Sequence, residues 1–168
     1  MNDKIKHYIK EIILFMIIII VLANAISLYR SSDLNKDLLA LKNLTLHNGS
    51  KYTLSDTKPT LIHIWAIWCP TCKAEASNIQ TLSDHYDVLT VAVKSGSDDE
   101  IQNWLNENEY TFNVINDSSG AIASNFNISV FPSTLIYNKN KKLVFSDVGY
   151  TSTWGLFLRM WSATYFNL

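Results

Sequence analysis

The chain has 168 residues, which is enough for one domain of ordinary size and a short additional segment. Hydrophobic residues make up 48% of it, so a core can form, and the net charge of −1 lacks the basic excess typical of nucleic-acid-binding proteins. With only two cysteines, Cys69 and Cys72, the chain cannot be a disulfide-rich scaffold. A bond between them would enclose two residues and constrain the unfolded chain little, so structural stapling is the weakest explanation for the pair.

The amino-terminal segment predicts a membrane anchor. The first ten residues carry three lysines, and residues 12–28 are apolar except for Asn24 and Ser27. That length is near the short end of the ~17–25 residues that cross a bilayer as a helix. Because positive charges are retained in the cytoplasm, the lysines predict a cytoplasmic amino terminus and export of everything that follows the apolar segment.

Two alternatives compete with the anchor. A cleaved secretory signal has the same basic start and apolar core, and Ala23 and Ala25 fit a small-x-small cleavage site. A helix buried in the core is disfavoured, although not eliminated, because the segment has no polar face. We therefore divide the chain into a cytoplasmic tail with a transmembrane anchor or signal peptide (1–28), a short polar tether (29–39) and a folded domain (40–168).

The residues after the tether alternate between strand and helix patterns. Residues 41–56 predict a β-hairpin that turns at Asn48-Gly49, a pair that favours tight turns. Residues 59–68 and 87–95 are almost continuously apolar, which is typical of strands buried on both faces. The other predicted elements are helices from Pro70, at 97–108, at 118–127 and at 152–166 (the last one amphipathic), and strands at 112–117, 133–138 and 142–149. This order predicts an α/β fold, a central mixed sheet flanked by helices, with an antiparallel hairpin at one edge and an amino-terminal β-hairpin extension.

The spacing of Cys69 and Cys72 favours redox chemistry. A buried strand that leads through Cys-x-x-Cys into a helix is the arrangement expected of a thioredoxin-like domain. At a helix start, free N–H groups and the helix dipole favour a thiolate and lower a thiol pKa from ~8.5 to as little as ~3.5–7.5. Cys72 lies one helical turn further on the same face. We therefore expect Cys69 to be the nucleophile and Cys72 the thiol that resolves the mixed disulfide.

Metal binding is the alternative use of the same sulfurs. A structural zinc site normally needs four ligands, and the four histidines of the chain include no close pair that could complete one. Copper(I) can be held by two soft thiolates, so a copper-binding or metallochaperone module is the competing hypothesis. The redox hypothesis requires no metal and no other cofactor.

Three residues near the pair each have a functional and a structural interpretation. Glu75, one turn after Cys72, could take the proton from that thiol, or it could be a solvated helix glutamate. His63 lies six residues before Cys69, and a hydrogen-bonded core histidine is favoured over a role beneath the site. Pro132 by base rate is a trans proline that opens a strand, because cis is found in only ~5–6% of X-Pro bonds.

The motif IWAIWCPTCKAE (64–75) and the segment VFPST (130–134) resemble the thioredoxin-fold proteins of the TlpA/DsbE group. The resemblance covers about residues 40–168, and the segments 89–105, 112–134 and 148–161 are specifically similar to the membrane-anchored suppressor-of-copper-sensitivity D proteins. It implies that Cys69 and Cys72 are the redox pair, that Glu75 is the acid following the motif, and that Pro132 is a cis-proline facing the disulfide. The residues expected to contact a substrate are Trp68, Pro70, Thr71, Val130 and Phe131.

The resemblance also implies a setting and partners. It predicts a single-pass protein of the bacterial inner membrane, held by residues 12–28, with its domain in the periplasm. Such a protein exchanges electrons with the thiols and disulfides of other exported proteins, in copper tolerance or cytochrome c maturation, and receives electrons from a membrane thiol reductase. We expect a monomer without a nucleic-acid partner. Whether it reduces or oxidises its substrates depends on its potential relative to theirs.

Overall fold

The computed structural model describes residues 7–19, 22 and 44–165. Residues 7–19 are helical, and we call this helix α1. Among the described residues no helix is both long enough and apolar enough to cross a membrane. The predicted membrane segment 12–28 lies partly outside the described residues, and the predicted tether 29–39 lies wholly outside them.

The folded domain contains seven strands and four helices among residues 44–165. The strands are β1 (Leu44–Thr45), β2 (Lys51–Tyr52), β3 (Thr60–Trp65), β4 (Asp87–Val93), β5 (Asn113–Asp117), β6 (Ser133–Tyr137) and β7 (Leu143–Val148). The helices are α2 (Pro70–Ser83), α3 (Asp98–Glu107), α4 (Ala121–Asn125) and α5 (Thr153–Tyr165). The predicted element order is confirmed, although β3, β4 and the two hairpin strands are shorter than the patterns that predicted them.

Five strands form the central sheet in the order β5-β4-β3-β6-β7. The strand β3 pairs in parallel with β4 and antiparallel with β6, so the sheet is mixed, as predicted. Every residue of β3 and β6 is buried, which explains why their sequences, apart from His63, are continuously apolar or hydroxylic rather than alternating. The hairpin β1–β2 forms a separate small sheet and is attached to β5 by a hydrogen bond from His47 N to the Val114 oxygen.

The two faces of the central sheet are covered by different elements. On one face, α2, α3 and α5 contribute Ile79, Ile101 and Leu156 to a core that includes Leu61 and Trp65 of β3. The other face is covered by the hairpin and α4. Since successive side chains of a strand point to opposite faces, the residues between Leu61 and Trp65 divide between the two cores. Helices therefore lie on both faces, as expected, with the cysteine-bearing helix α2 on the first.

A row of polar side chains crosses the face that α2 and α5 cover. In the sheet register Thr90 of β4 is next to His63 of β3, His63 is next to Thr134 of β6, and Thr134 is next to Asp147 of β7. All four residues are buried. We call Thr90, His63, Thr134 and Asp147 the polar row. Such groups are costly to bury without partners, so their presence beneath the helix that carries the cysteines calls for a functional explanation.

The helix α5 differs from the simple amphipathic helix that its sequence predicts. Its inner face buries Leu156, Met160 and Ala163. Its outer face exposes four further large side chains at helical spacing, Trp154, Leu158, Trp161 and Tyr165. The helix is therefore apolar on both faces, and only the inner one is covered by the described part of the chain.

Candidate active site

The two cysteines lie at the start of α2, immediately after the loop that follows β3. Cys69 is the N-cap residue, its sulfur accepts a hydrogen bond from Cys72 N at 3.2 Å, and Pro70 occupies the first helical position. The two residues form a disulfide with a Cα–Cα distance of 5.3 Å. Cys69 is 6% exposed and Cys72 is 1% exposed, so an incoming thiol or disulfide meets Cys69 first.

The β4–α3 loop supports the loop that carries the cysteines. The Ser95 hydroxyl accepts a hydrogen bond from Ile67 N at 3.1 Å and donates to the Val93 oxygen at 3.1 Å. The indole of Trp68 donates to the Lys94 oxygen at 3.1 Å. Neither Ser95 nor Lys94 was predicted from the sequence. Their contacts join two loops that are 28 and 26 positions apart in the chain, and no local pattern reveals such contacts.

The loop before β6 lies against the disulfide. The Phe131–Pro132 peptide bond is cis, as the family resemblance implies, so the base-rate expectation of a trans proline was wrong. The Phe131 oxygen lies 3.8 Å from the sulfur of Cys69, and the Phe131 ring packs edge-on against Trp68 at a centroid distance of 5.8 Å. The Pro132 oxygen accepts a hydrogen bond from Gly149 N at 2.8 Å, which connects this loop to the end of β7.

A rim of accessible side chains surrounds the disulfide. Trp68 is 59% exposed although its indole N–H is bonded, and Val130 is exposed on the opposite loop. Pro70 and Thr71 are exposed, and Phe131 is half-buried. The five residues that were predicted to contact a substrate thus lie on the segments that carry or face Cys69, the more exposed of the two cysteines.

Glu75 is fully buried beneath this surface, at 0% exposure. Its Oε1 accepts a hydrogen bond from Thr151 N at 3.2 Å, whereas its Oε2 is buried without a hydrogen-bond partner. Burial raises the pKa of Glu75 to about 8, an effect that the Thr151 hydrogen bond opposes and the nearby charge of Asp147 reinforces. Of the two interpretations, the solvated helix glutamate is therefore wrong, and a protonated Glu75 one turn from Cys72 is suited to proton transfer.

His63 lies on the same face of the sheet, in the polar row. Its Nδ1 lies 3.0 Å from the Thr134 hydroxyl, and burial lowers the pKa of His63 to about 3. The histidine is therefore neutral at physiological pH. The favoured interpretation, a hydrogen-bonded core histidine, is confirmed.

The described residues contain no group of three or more His, Cys, Asp or Glu side chains that could hold a metal ion. The two sulfurs of Cys69 and Cys72 are joined to each other in this structure. In the oxidised state they therefore have no thiolate to offer a metal.

The sequence of residues 37–146 matches the model of the AhpC/TSA family. The chain belongs to this family. A "Thioredoxin-like protein" of Haemophilus influenzae is 30% identical over 169 residues, which cover 98% of this chain and 99% of that protein. The "Thiol:disulfide interchange protein DsbE" of Tatumella citrea is 30% identical over 66% of this chain and 62% of its own length.

A solved structure supports the same assignment. The exposed lipoprotein thioredoxin Etrx1 of Streptococcus pneumoniae is 25% identical and superposes with a TM-score of 0.63 over 71% of this chain and 96% of its own. The fold of this chain is therefore thioredoxin-like. Together with the disulfide at the start of α2, these similarities make the chain a protein thiol–disulfide oxidoreductase.

Proposed function

We propose that this AhpC/TSA-family protein is an exported, membrane-tethered oxidoreductase that exchanges electrons with other exported proteins through Cys69 and Cys72. The observation that supports the proposal is the disulfide at the N-terminus of α2, whose more exposed cysteine, Cys69, faces the Phe131–Pro132 loop and has exposed side chains on the neighbouring positions. A purely structural disulfide does not require exposed side chains around it. A cysteine that reacts with the sulfur of another protein requires a surface on which that protein can bind.

In the reducing direction, the Cys69 thiolate attacks one sulfur of a substrate disulfide. A mixed disulfide forms, and the other substrate sulfur leaves as a thiolate that takes a proton from solvent. Cys72 then loses its proton and attacks the Cys69 sulfur, which expels the second substrate thiolate and restores the Cys69–Cys72 disulfide. Two electrons have passed to the substrate. In the reduced protein the Cys72 N–H, which points at the Cys69 sulfur, and the helix dipole would stabilise the Cys69 thiolate before it attacks.

Glu75 supplies and removes the proton of Cys72. In the oxidised protein the raised pKa keeps the Glu75 carboxyl neutral near pH 7. When an electron donor's thiolate attacks Cys69, Cys72 leaves as a thiolate and takes the proton of Glu75. The carboxylate that remains is then the base for the resolving step. One group can serve both directions because forward and reverse reactions pass through the same transition state.

The rim determines which disulfides reach Cys69. Trp68, Val130 and Phe131 offer apolar contact area around the sulfur, and Pro70 and Thr71 border it on the helix side. Pro132, whose cis bond turns the chain beside Cys69, shapes the surface on which a substrate backbone would lie. Aromatic anchors of this kind typically contribute most of the binding energy of a protein interface.

The apolar segment 12–28 supports the proposed location at the membrane. It would hold the domain on the outer side of the bacterial inner membrane through the tether 29–39, within reach of a membrane thiol reductase as the electron donor. A membrane-impermeant maleimide applied to spheroplasts tests this orientation. Reduced Cys69 should be labelled without lysis, and labelling only after lysis would refute the proposed location.

Trapping of mixed disulfides tests the exchange itself. Full-length Cys72→Ser protein keeps the nucleophile but cannot resolve, so it should accumulate adducts that migrate as larger species and disappear on reduction. Cys69→Ser is the matched control, since it keeps one cysteine that is almost fully buried, and it should accumulate few. Equal adduct levels in the two variants, or none in either, would contradict the proposal.

Copper tolerance and cytochrome c maturation are the two processes in which the oxidoreductase would act. Copper(I) binding by the same two thiolates is the alternative function. Titration of the reduced full-length protein with copper(I), followed by exchange with glutathione disulfide, separates the two. An oxidoreductase exchanges its thiols with glutathione disulfide at the same rate with and without copper(I). A carrier retains one copper ion per dithiol and exchanges negligibly.

A further inference from the structure

We propose that the outer face of α5 docks on the lipid surface of the membrane to which the chain is tethered. Four side chains define this face: Trp154, Leu158, Trp161 and Tyr165, which are 81%, 65%, 49% and 69% exposed. The inference rests on the proposed membrane tether. It adds an orientation to that proposal, in which the domain lies with α5 against the bilayer.

The outer face of α5 carries no charge. Its four residues follow one another at intervals of four, three and four positions, which places them on one side of the helix. The one charged residue of α5 is Arg159, whose Nε lies 2.9 Å from Asp147 Oδ2 in an ion pair. Lipid can therefore cover the face without burying an unpaired charge. Tryptophan and tyrosine, which occupy three of the four positions, are enriched where proteins meet the bilayer–water interface.

The helix α5 packs against the part of α2 that is remote from the cysteines. At the start of α5, the Thr153 hydroxyl donates to Asn78 Oδ1, halfway along α2, at 2.8 Å. Further along α5, the Phe157 ring lies 5.7 Å from the ring of Tyr86, which follows the end of α2, between centroids. The helix α5 therefore runs towards the C-terminal end of α2, whereas Cys69 caps the opposite end. Lipid on the outer face would contact the domain away from the redox pair.

The chain enters the folded domain at the end where α5 terminates. Leu44, the first described residue of the domain, pairs with Tyr52 in the hairpin. The Tyr52 hydroxyl donates to the carboxylate of Asp87, which is next in the chain to Tyr86 and its contact with α5. Asp87 also lines one pocket together with Thr164, near the end of α5. The segment that precedes Leu44 thus joins the domain close to α5.

The length of that segment keeps the outer face of α5 near the bilayer. Fifteen residues, 29–43, separate the apolar segment 12–28 from Leu44. Whatever their conformation, they span at most about 54 Å, because an extended chain rises by no more than about 3.6 Å per residue. A domain of the size of residues 44–165 has a radius of gyration of about 14 Å and is roughly 36 Å across. The bilayer is therefore always within reach, and tethering makes even a weak contact effectively intramolecular.

A second copy of the chain is a less suitable occupant of this face. A large aromatic side chain buries about 150–250 Å² when it is fully covered, so the exposed fractions of the four residues correspond to roughly 500 Å². Stable protein interfaces bury about 800 Å² on each partner. A lipid surface imposes no such minimum, because an apolar helix face binds in proportion to the area that enters the headgroup region, to a depth of about 5–10 Å.

Fluorine NMR of the five tryptophans tests the contact in the full-length protein. The oxidised protein is labelled with 5-fluorotryptophan and placed in phosphatidylcholine nanodiscs at one molecule per disc, and each signal is assigned with a Trp→Phe variant. A nitroxide carried on the lipid acyl chains should remove most of the Trp154 and Trp161 signals. Trp68 is the internal control: it is 59% exposed but lies beside the cysteines, so its signal should persist.

A charged substitution in the middle of the face gives a complementary test. Leu158→Glu should restore the Trp154 signal in the presence of the lipid nitroxide, because the contact would then bury a carboxylate. Leu158 is exposed, so the variant should fold, and an unchanged chemical shift of the buried Trp65 verifies this. Asn103→Glu is the matched control. It adds the same charge at an exposed position of α3 and should leave the Trp154 signal suppressed.

The outcomes distinguish this inference from the proposed function. If the protein stays in the discs and the nitroxide affects Trp154 no more than Trp68, the docking inference is overturned and the tether stands. If Trp154 is shielded from a water-soluble gadolinium chelate but unaffected by the lipid nitroxide, protein rather than lipid covers the face, which also overturns the inference. A protein that elutes apart from the discs would refute the tether, and the inference with it.

Discussion

Replacing Glu75 with Gln should remove a strong pH dependence from the stability of the oxidised protein. Glutamine keeps the shape of the protonated acid, and its oxygen can still accept the Thr151 N–H bond. What it lacks is the ability to ionise. The difference in free energy of unfolding between the two proteins therefore isolates the cost of a buried charge at this position.

The size of the effect follows from the pKa. Each pKa unit corresponds to about 1.36 kcal/mol, so a rise from 4.5 to about 8 makes ionisation about 5 kcal/mol less favourable in the folded protein than in the unfolded chain. Below pH 4.5 both states hold the proton, and the contribution of Glu75 to stability is fully present. As pH rises towards 8 the unfolded state releases its proton first, so that stability is progressively lost.

Urea unfolding of the oxidised full-length protein in non-ionic detergent, between about pH 4 and pH 9, measures the difference. Wild type and Glu75→Gln should be similar at the acid end, and the variant should be more stable by several kcal/mol at the alkaline end. Glu107→Gln, at the exposed end of α3, is the matched control and should run parallel to wild type. A constant offset between wild type and Glu75→Gln across the range would refute the assigned protonation of Glu75.

Three further predictions concern other parts of the site. Trp68→Ala should slow exchange with a folded protein disulfide by about 30-fold, which corresponds to the loss of an interface anchor worth about 2 kcal/mol. Exchange with glutathione disulfide should be nearly unchanged, and stopped-flow rates with both substrates measure the difference. Ser95→Ala leaves the Ile67 N–H without its hydrogen-bond partner, so we expect a loss of about 1–3 kcal/mol in the free energy of unfolding and faster hydrogen exchange at the Ile67 amide. Protection of that amide equal to wild type would contradict the role of Ser95 in holding the loop. His63→Gln should make the protein less sensitive to acid. Because burial lowers the pKa of His63 to about 3, the contribution of this residue to wild-type stability is present above pH 6.5 and is lost as pH falls towards 3, by up to about 5 kcal/mol. Identical acid unfolding curves for the variant and wild type would refute this prediction.

The elements that local sequence patterns predict are those whose determinants are local. The hairpin turn at Asn48-Gly49 forms between β1 and β2, and Gly49 has the positive φ of 79° that such a turn favours. The start of α2 at Pro70 follows from a residue that suits the first helical turn. Cys69 and Cys72 could be identified as a pair for the same reason, since their separation along one helix determines their proximity.

The parts that could not be predicted depend on contacts between distant segments. The burial of Glu75 is determined by Thr151 and the loop that follows β7, so its sequence neighbours alone could not distinguish a buried acid from a solvated one. The polar row requires the register of four strands, which brings His63 beside Thr134 although they are 71 positions apart. The cis form of Pro132 was implied by family resemblance alone, because hydrophobic periodicity carries no information about a peptide-bond isomer.

Equilibration with a glutathione redox buffer tests most directly whether the Cys69–Cys72 pair is a working redox centre. The full-length protein is held at a series of ratios of reduced to oxidised glutathione, alkylated, and weighed by mass spectrometry. The account predicts a single two-electron transition, in which a tenfold change in the equilibrium constant corresponds to about 30 mV, and loss of that transition in Cys69→Ser. A pair that stays fully oxidised or fully reduced across every buffer, or that titrates by one electron, would contradict it.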